Sequence, residues 1–554
     1  MKKGFLALTL SALLVASVAS GCVPQATSSA PSSSAASSAP AAQGGSSSAP
    51  AEESNFNESD LPIVNDPVTV TIAAITGKNK DFKELEYFIR LEEMTNVNVN
   101  WNMSSSEGWD EKKSLLFASG DLPDAFYGQG ILSDIEVVKY ASQEVLIPLS
   151  ELMEKYCPNF MHVLDYEPKF RPQITVPDGE IYSLPSLTQL NPTTHSKFFL
   201  NKVWLDNLGL EVPETIEEFQ AVLQAFKDND ANGNGDPNDE IPFTFRAKDQ
   251  RQQNLSPLFG SFGQLDDYTH FIVKDGKVVY TAVTEPYKEA IKYFHELYSK
   301  GLLDQEGFTH DSNVYVSKIQ DPSKICGGFL GWSRSATGGP NKEDYVAVAP
   351  LKGPAGVQIW KPVDSQITSK GAFAITKSAE HPEILMRWID VSYDQEFSLE
   401  VNQGLLGRNL EKTPEGGYRY LPVPEGKLTA EQIHDYGPGN NGVYAVLNEI
   451  GDKLELNANL QERKELDAFY APYNVPFDEV FPNVLFDVTE ADRLSILKTD
   501  IDSYVEKNYA GWISNGGIDE DWDGYLKQLE NMKLDEYIQL HQQAYDRYVA
   551  ATKG

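Results

Sequence analysis

The residues best suited to binding a metal ion lie in one short stretch, residues 228–242, which reads DNDANGNGDPNDEIP. Carboxylate and amide side chains recur in it at alternating positions, and glycines stand where a loop must bend sharply. Oxygen ligands in such a loop are what a hard cation such as Ca²⁺ requires. This acidic loop therefore predicts a Ca²⁺ site, and the alternative interpretation is a solvated loop built of Asx turns.

Two registers of the acidic loop fit the spacing of an EF-hand calcium loop. If Asp228 is the first ligand, the ligands in order are Asp228, Asp230, Asn232, Asn234, Asp236 and Asp239. If Asp230 is first, Asp239 and Glu240 close the cage. The spacing alone leaves both registers open.

A predicted helix and a predicted extended segment flank the acidic loop. Thr215 and Glu218 form a capping-box pattern, and an apolar stripe runs from Ile216 to Phe226 at helical spacing. The extended segment IPFTF follows the loop, so the pattern is not the helix-loop-helix of a calcium sensor. The ion is therefore predicted to clip the fold together and not to signal.

The amino terminus resembles a lipoprotein signal peptide. An apolar run from Phe5 to Val18 follows two lysines, and the tetrapeptide Ala-Ser-Gly-Cys that ends at Cys22 resembles a lipobox. The apolar run is too short to span a bilayer. Residues 1–22 are therefore predicted to be a signal peptide, and a lipid on Cys22 is predicted to hold the protein at the extracellular face of the cell membrane. The alternative is an ordinary cleaved secretory signal.

Composition divides the rest of the chain into a tether and a folded body. Residues 23–60 consist mainly of Ser, Ala, Pro, Gly and Gln, which cannot bury a core, and residues 61–554 are expected to fold. The formal net charge of -35 argues against nucleic-acid or anionic-membrane partners, because these require a basic surface. Cys157 and Cys326 form no disulfide framework, and the sequence leaves open whether they pair.

Strand and helix patterns alternate directly after the tether. Residues 68–75 and 96–103 have the pattern of strands, residues 82–95 between them have the pattern of a helix, and residues 108–128 add a helix and a short strand. This order predicts an α/β fold with a parallel sheet and right-handed crossovers. Ligands of such sheets bind at the carboxyl ends of the strands.

Segments along nearly the whole body resemble the family 1 extracellular solute-binding lipoproteins of Gram-positive bacteria, the oligosaccharide-binding components of ABC importers. In chain order they are TNVNVNW, EGWDEKKSLLFASGDLPDAFYG, LIPLSELMEKYCPN, PDGEIYSLPS, LNKVWLDNLGLEVPETIEEF, DANGNGDPNDEIP, AFAITKSAEHPEILMRWID and DWDGYLKQLENMKLDEYIQLHQQAYDRY. The resemblance implies a two-lobed periplasmic-binding-protein fold of type II, with the chain crossing between the lobes more than once and an oligosaccharide in the cleft. It also implies a monomer that delivers its ligand to the transmembrane subunits of a permease.

The resemblance further selects ligands within the acidic loop. The loop of the family runs Asp-x-Asn-x-Asn-Gly-x-x-Asp-Glu-Ile-Pro, one residue shorter than here, so the side chains of Asp228 and Asp236 remain alternatives. Asp236 is expected to offer its backbone carbonyl. The implied side-chain ligands are Asp230, Asn232, Asn234, Asp239 and Glu240.

Candidate sugar contacts are aromatic and polar side chains at predicted strand-to-loop junctions. Aromatic rings stack on the apolar faces of sugars, and planar polar groups pair with their hydroxyls. Trp332 and Tyr127 fit the expected position of a ligand best. The other candidates are Gln129, Trp360, Lys78, Asn79 and Trp109.

Several later segments are predicted to complete the two lobes. Residues 286–303 have the pattern of an amphipathic helix, with Thr284 as its cap. Two segments, 346–353 and 371–376, are predicted to be strands that return to the first lobe. Residues 491–507 and 524–549 are predicted to be helices from their apolar period.

Two other functions are weighed against sugar capture. An enzyme is not predicted, because the sequence contains no HExxH or GxSxG pattern and no spacing nominates a carboxylate pair for glycosidase chemistry. A receptor of the same fold for a peptide or another nutrient is the remaining alternative, because a fold does not determine its ligand.

Overall fold

The structure, a computed structural model, describes residues 54–76, 81–194, 196–249, 252–363, 366–424 and 429–553. The predicted signal peptide with Cys22 and most of the predicted tether lie outside these residues. Within the described ranges, no helix is both long enough and apolar enough to cross a membrane.

Short strands and helices alternate along the chain. The strands are β1 (Val68–Thr76), β2 (Val97–Ser105), β3 (Ala125–Leu132), β4 (Leu184–Thr188), β5 (Lys197–Asn201), β6 (Phe271–Lys274), β7 (Lys277–Tyr280), β8 (Gly328–Gly331), β9 (Tyr345–Ala347), β10 (Ile367–Ile375), β11 (Leu410–Lys412), β12 (Tyr418–Tyr420) and β13 (Ala445–Val446). The α-helices are α1 (Glu86–Thr95), α2 (Trp109–Ser119), α3 (Asp134–Ser142), α4 (Ser150–Tyr156), α5 (Pro158–Tyr166), α6 (Phe170–Ile174), α7 (Lys202–Leu208), α8 (Ile216–Asp228), α9 (Glu285–Ser299), α10 (Ser312–Ile319), α11 (Pro382–Val391), α12 (Gln395–Gln403), α13 (Thr429–Tyr436), α14 (Asn448–Gly451), α15 (Ala458–Tyr470), α16 (Val488–Asn515), α17 (Ile518–Asn531) and α18 (Leu534–Lys553).

The first lobe is built on a six-stranded sheet in the order β2, β1, β3, β10, β4, β13. β1 runs parallel to β2 and to β3, and its register with β2 continues from Val68 opposite Val97 to Thr76 opposite Ser105. The predicted parallel sheet is therefore confirmed. β10 is antiparallel to its neighbours β3 and β4.

Local signals explain how the first-lobe elements are joined. α1 is followed by Asn96, whose left-handed backbone (φ 57°) turns the chain directly into β2, and Asn tolerates this conformation better than most residues. A capping box of Ser133 and Glu136 starts α3. Apolar side chains cover both faces of the sheet, because successive residues of a strand point to opposite sides.

The second lobe has a smaller sheet, in which β5 lies between β8 and β9 and is antiparallel to both. The predicted capping box begins α8: Glu218 N donates to Thr215 Oγ1 at 3.1 Å, and Thr215 N donates to Glu218 Oε2 at 3.2 Å. α9 follows Thr284 at the predicted N-cap position, but the Thr284 side chain makes no capping hydrogen bond. Apolar side chains of α8, α9, α16, α17 and α18 share the core of this lobe.

Two predicted elements differ from the structure. Of residues 346–353, only the first two belong to a strand, and this strand (β9) pairs with β5 in the second lobe instead of returning to the first. Apolar alternation marks a strand but does not select its sheet. The predicted strand 371–376 does return to the first lobe, as β10. The predicted helix 524–549 is divided, because Lys533 adopts a left-handed backbone (φ 65°) between α17 and α18.

The chain passes between the lobes repeatedly. The buried apolar core of the first lobe is drawn from residues 63–187 and 367–454. That of the second lobe is drawn from residues 198–360 and 470–537. The described chain therefore crosses from one lobe to the other before β5, before β10 and at the start of α15.

Contacts between crossing segments tie the lobes together. Thr194 and Pro362 are bridge partners, and Val363 N donates to Thr193 O at 2.6 Å, so the first two crossings form a short ribbon. The long helix α16 contacts α3 of the first lobe and α9 and α18 of the second. The two lobes are thus joined by paired strands and by one shared helix.

Candidate functional site

The side chains of the acidic loop converge on one another. Asp230 accepts loop N–H groups on both carboxylate oxygens, from Asn234 N at 3.0 Å and from Gly235 N at 2.9 Å. Asp239 accepts from the side-chain amides of Asn232 and Asn234, at 3.0 and 2.6 Å. Asp230, Asn232, Asn234 and Asp239 therefore form one hydrogen-bonded cluster.

Glu240 adds a carboxylate oxygen that lacks a partner. Its Oε1 accepts from Ala231 N at 2.9 Å, whereas its Oε2 is buried without a hydrogen-bond partner among the described residues. Burial raises the pKa of Glu240. A buried carboxylate oxygen is costly unless a cation or a donor compensates it, so this atom fits the side of a cation site.

The geometry distinguishes the two registers of the acidic loop. Asp228 is the last residue of α8, and its carboxylate accepts from Gln224 Nε2 at 2.9 Å, one helical turn earlier. Its side chain is thus bound back onto the helix. The side chain of Asp236 accepts from Asn238 N at 3.2 Å within its own turn. The register that begins at Asp230 fits this arrangement.

A second group of acidic and histidine side chains surrounds a lysine. One ligand atom each from Asp304, Glu306 and His310 lies within 4.8 Å of the others. Lys318 Nζ lies 2.8 Å from Asp304 Oδ2 and 2.7 Å from Glu306 Oε2. The ammonium group already supplies the positive charge that a metal ion would bring, so this group is an ion-pair cluster.

Three predicted sugar contacts, Tyr127, Trp109 and Trp360, are core residues, which corrects their predicted role. Tyr127 is 0% exposed, and Val443 N donates to its hydroxyl at 3.2 Å. Side chains alternate along β3, so Tyr127 packs in one helix layer and Phe126 in the other. A strand covered on both faces presents no ring to a ligand.

The two tryptophans are buried with their indole N–H groups satisfied. Trp109 Nε1 donates to Ile131 O at 2.8 Å. Trp360 Nε1 donates to Ser196 O at 3.0 Å, and its ring stacks on Tyr470 at a centroid distance of 5.1 Å. Both rings therefore serve packing.

Of the remaining first-lobe candidates, Gln129 lies within β3, beyond the part of that strand that pairs with β1. Gln129 is half-buried between Gly128 and Gly130, which both have positive φ. Gly128 has a φ of +129°, which favours glycine, and a Cβ atom there would lie tightly against the backbone, 3.2 Å from Asn441 O. Lys78 and Asn79, which follow β1, lie outside the described residues.

Trp332 is the one predicted aromatic contact that the structure does not place in the core. It directly follows β8 and is half-buried. The guanidinium carbon of Arg463, on α15, lies 4.6 Å from the centre of its ring. A ring held in this way at the end of a strand is a surface on which a sugar can pack.

Polar side chains of α15 surround Trp332. Ser333 Oγ donates to Asn459 Oδ1 at 3.1 Å, and Glu462 Oε1 accepts from Arg334 Nε at 3.0 Å. Burial opposes ionisation of Glu462, but its hydrogen bonds from Ser335 and Arg334 outweigh burial and lower its pKa. The Trp332 cluster comprises Trp332, Ser333, Arg334, Asn459, Glu462 and Arg463.

Sequence reasoning found only Trp332 among the members of this cluster. The polar run that follows Trp332 was a signal for Ser333 and Arg334. No local signal marks the α15 residues, because Glu462 lies 128 residues beyond its partner Arg334 along the chain.

Known proteins are similar to this chain over most of its length. Residues 76–396 match the family model described as bacterial extracellular solute-binding protein. The chain is 33% identical over 486 residues to the fructooligosaccharide ABC transporter substrate-binding protein FusA of Streptococcus pneumoniae. The aligned residues cover 85% of this chain and 88% of FusA. It is 26% identical over 435 residues to lipoprotein LipO of Bacillus subtilis, and the aligned residues cover 74% of each protein.

Solved structures show the same fold. FusA in complex with kestose is 32% identical, with a TM-score of 0.78 over 87% of this chain and 100% of that chain. An EF-hand mutant of FusA in complex with fructo-nystose is 31% identical, with a TM-score of 0.77 over the same shares. The predicted two-lobed α/β fold is therefore confirmed. The chain belongs to the family of bacterial extracellular solute-binding proteins.

Proposed function

We propose that this chain is the sugar-capturing subunit of an ABC importer, which binds an oligosaccharide between its lobes and delivers it to the transmembrane subunits of a permease. Family membership supports this role, and the relative FusA is named for fructooligosaccharides and was solved with kestose. Neutral fructooligosaccharides are therefore the ligands to test first. Capture and delivery require no catalysis, and we propose none for this chain.

The position of Trp332 carries this proposal. A sugar offers hydroxyl groups that are costly to desolvate unless they are paired, and apolar faces that an aromatic ring covers well. The Trp332 cluster supplies a half-buried ring together with amide and charged groups. We propose Gln129, Lys78 and Asn79 as the first-lobe contacts, because Gln129 lies between two glycines of β3 and the other two follow β1 in the sequence. Closure of the lobes would bury both sets of contacts.

Isothermal titration of the purified protein with kestose, nystose, maltotriose and a tripeptide tests the ligand class. Kestose or nystose should bind, and Trp332→Ala should weaken binding by about 1–3 kcal/mol, the value of one aromatic contact. The matched control is Phe477→Ala, which removes a ring that is 51% exposed and outside the Trp332 cluster.

Two other outcomes would contradict the proposal. Binding of the tripeptide without binding of any sugar would show a receptor for a different nutrient. Normal binding by Trp332→Ala together with a much lower melting temperature would show that Trp332 is a packing residue.

We also propose that the acidic loop binds one structural Ca²⁺. The carbonyl of Asp236 and five side chains would hold it: Asp230, Asn232, Asn234, Asp239 and Glu240. The hydrogen-bonded cluster and the unpaired Glu240 oxygen support this site, because Ca²⁺ is bound by oxygen atoms. The EF-hand mutant of FusA was solved with fructo-nystose bound, which favours a clip over a direct role in sugar binding.

We propose that a lipid on Cys22 anchors the mature protein, as a monomer, at the extracellular face of the membrane. The lipobox-like sequence before Cys22 supports the anchor. Cys22→Ala should release the protein into the medium. Retention of that variant in the membrane fraction would contradict the anchor.

A further inference from the structure

Arg463 is a half-buried member of the Trp332 cluster with one buried nitrogen that lacks a hydrogen-bond partner among the described residues. Its guanidinium carbon lies 4.6 Å from the centre of the Trp332 ring. Its Nε is buried without a hydrogen-bond partner among the described residues. Burial lowers the pKa of Arg463 to about 10, which still leaves the group charged at neutral pH.

The carboxylates nearest to Arg463 are engaged with other groups. Glu462 accepts from Arg334 through both the side chain at 3.0 Å and the backbone N–H at 2.9 Å. Asp467 accepts from Thr193 N at 2.6 Å, in the crossing ribbon. Both acids attract Arg463 through space. Glu462 holds the backbone N–H groups of Arg334 and Ser335, and Asp467 is shared between Thr193 N and the Lys197 ammonium, which lies 3.2 Å from Asp467 Oδ1.

Such an arrangement is costly for the ligand-free protein. A buried donor that loses its water without gaining an acceptor destabilises the fold, and a charged donor does so more strongly. Native proteins satisfy nearly all buried polar groups, so each exception calls for an explanation, and a ligand that supplies the missing partner is one. Residues kept at the expense of stability concentrate at binding sites.

We infer that Arg463 is a specificity-determining residue, whose guanidinium donates to two adjacent hydroxyl oxygens of the sugar ring bound at Trp332. This inference rests on the proposed function. The planar guanidinium presents paired N–H groups at a fixed angle, which suits two neighbouring oxygens better than the single point charge of a lysine does. Contact with Trp332 fixes the plane of that group beside the ring on which the sugar would pack.

The surrounding charges favour neutral hydroxyls as the acceptors. Glu462 and Asp467 already lie near Arg463 and offset its charge, and the whole chain carries a formal charge of -35. An anionic sugar would approach against this field, whereas hydroxyl groups gain the donors without that penalty.

Arg334 provides a matched control on the same cluster. Its guanidinium donates to Glu462, which is buried, so Arg334 serves the fold. Loss of Arg334 leaves a buried carboxylate short of a partner, whereas loss of Arg463 removes a buried Nε that has no hydrogen-bond partner among the described residues. The two substitutions should therefore have opposite effects on the stability of the ligand-free protein.

The test compares Arg463→Met, Arg463→Lys and Arg334→Met in kestose titrations and in ligand-free melting curves. We expect Arg463→Met and Arg463→Lys to bind kestose about ten- to a hundredfold more weakly than the wild type, the effect of losing a charge-assisted hydrogen-bond pair. The ligand-free melting temperature of Arg463→Met should equal or exceed that of the wild type. Arg334→Met should melt at a lower temperature.

The outcomes separate this inference from the proposed function. Failure of the wild type to bind kestose, nystose or maltotriose would contradict the proposed function, and the assignment of Arg463 with it. Wild-type binding retained in Arg463→Met, or a clearly lower melting temperature of ligand-free Arg463→Met, would overturn only the role of Arg463. Tighter binding of a galacturonic acid oligomer than of kestose would overturn the assignment of neutral hydroxyls.

Discussion

The two lobes treat their aromatic side chains differently. In the first lobe, a sheet covered on both faces holds Tyr127 in the core, although its position next to a glycine fits a binding residue. In the second lobe, Trp332 follows the last residue of β8 and stays half-buried beneath Arg463. The difference teaches that a ring within a strand is buried by the layers on the sheet, whereas the ring that directly follows a strand is only half-buried.

The lobes also bury titratable groups whose pKa values move in opposite directions. In the first lobe, burial raises the pKa of Asp390 to about 7, although the N–H groups of Asn159 and Phe160 donate to its carboxylate. In the second lobe, burial lowers the pKa of His541 to about 4. The two lobes should therefore contribute opposite pH dependences to the free energy of unfolding.

The largest expected effect tests the contrast between Tyr127 and Trp332. Tyr127→Ala should lower the free energy of unfolding by about 3–5 kcal/mol, because it empties a fully buried site. Trp332→Ala should lower it by about 1 kcal/mol or less, as for a site outside the core. Urea unfolding followed by far-UV circular dichroism measures both values, and equal losses would abolish the contrast.

Removal of Ca²⁺ from the acidic loop should lower the stability of the second lobe. A ligand that binds only the folded protein stabilises it by about 2.7 kcal/mol at a hundredfold excess over its Kd. Addition of EDTA to calcium-loaded protein should therefore lower the melting temperature. The double variant Asp230→Ala, Asp239→Ala should lose this response while its affinity for kestose stays within a few fold. A metal-free preparation whose melting temperature is insensitive to calcium would show that the loop is only an acidic turn.

Asp390→Asn should remove the pH dependence contributed by the first lobe. Because the folded-state pKa is about 7 and the ordinary value is 3.8, the folded carboxyl keeps a proton that the unfolded chain releases. The stability that protonated Asp390 gives the folded protein is fully present below the ordinary pKa of the carboxyl, and it is lost as the pH rises through the folded-state pKa. This loss, with a slope of up to about 1.4 kcal/mol per pH unit, should be absent from the variant. Identical slopes in wild type and variant would contradict the raised pKa.

His541→Phe should remove the opposite dependence in the second lobe. The folded-state pKa of about 4 lies below the ordinary value of 6.5, so the stabilisation is full above the ordinary pKa and is lost as the pH falls through the folded pKa. Phenylalanine preserves the stacking on Phe271, whose centroid lies 3.8 Å away, but cannot take up a proton. The variant should lose less stability than the wild type on acidification, and unfolding curves across this range measure the difference. An equal loss would show that His541 titrates normally.

Local signals predicted much of the fold from the sequence. The capping box of Thr215 and Glu218 and the order of β1, β2 and β3 depend on neighbouring residues, and the structure contains them. Tyr127 was misplaced because the predicted strand ended beside it, whereas β3 continues to Leu132. The ring thus lies inside the strand and not at its end.

Long-range contacts account for the part of the candidate site that the sequence could not predict. The acidic loop is contained in one stretch, so its composition indicated its chemistry before its geometry was known. The Trp332 cluster combines a strand end with Arg463 of a helix that follows the third crossing, and no periodicity relates them. A pattern in one segment cannot show which segment packs against it.

The helix α16 links the lobes in a way that bears on how the protein unfolds. It has 28 residues, and at a rise of about 1.5 Å per residue it is about 42 Å long. Val488 at its start packs on the core of the first lobe, while Leu494 to Ile513 pack in the second. Disordering of either lobe would strip contacts from a helix that the other needs. The lobes should therefore melt in one cooperative transition, with equal calorimetric and van't Hoff enthalpies, although they are two separate cores.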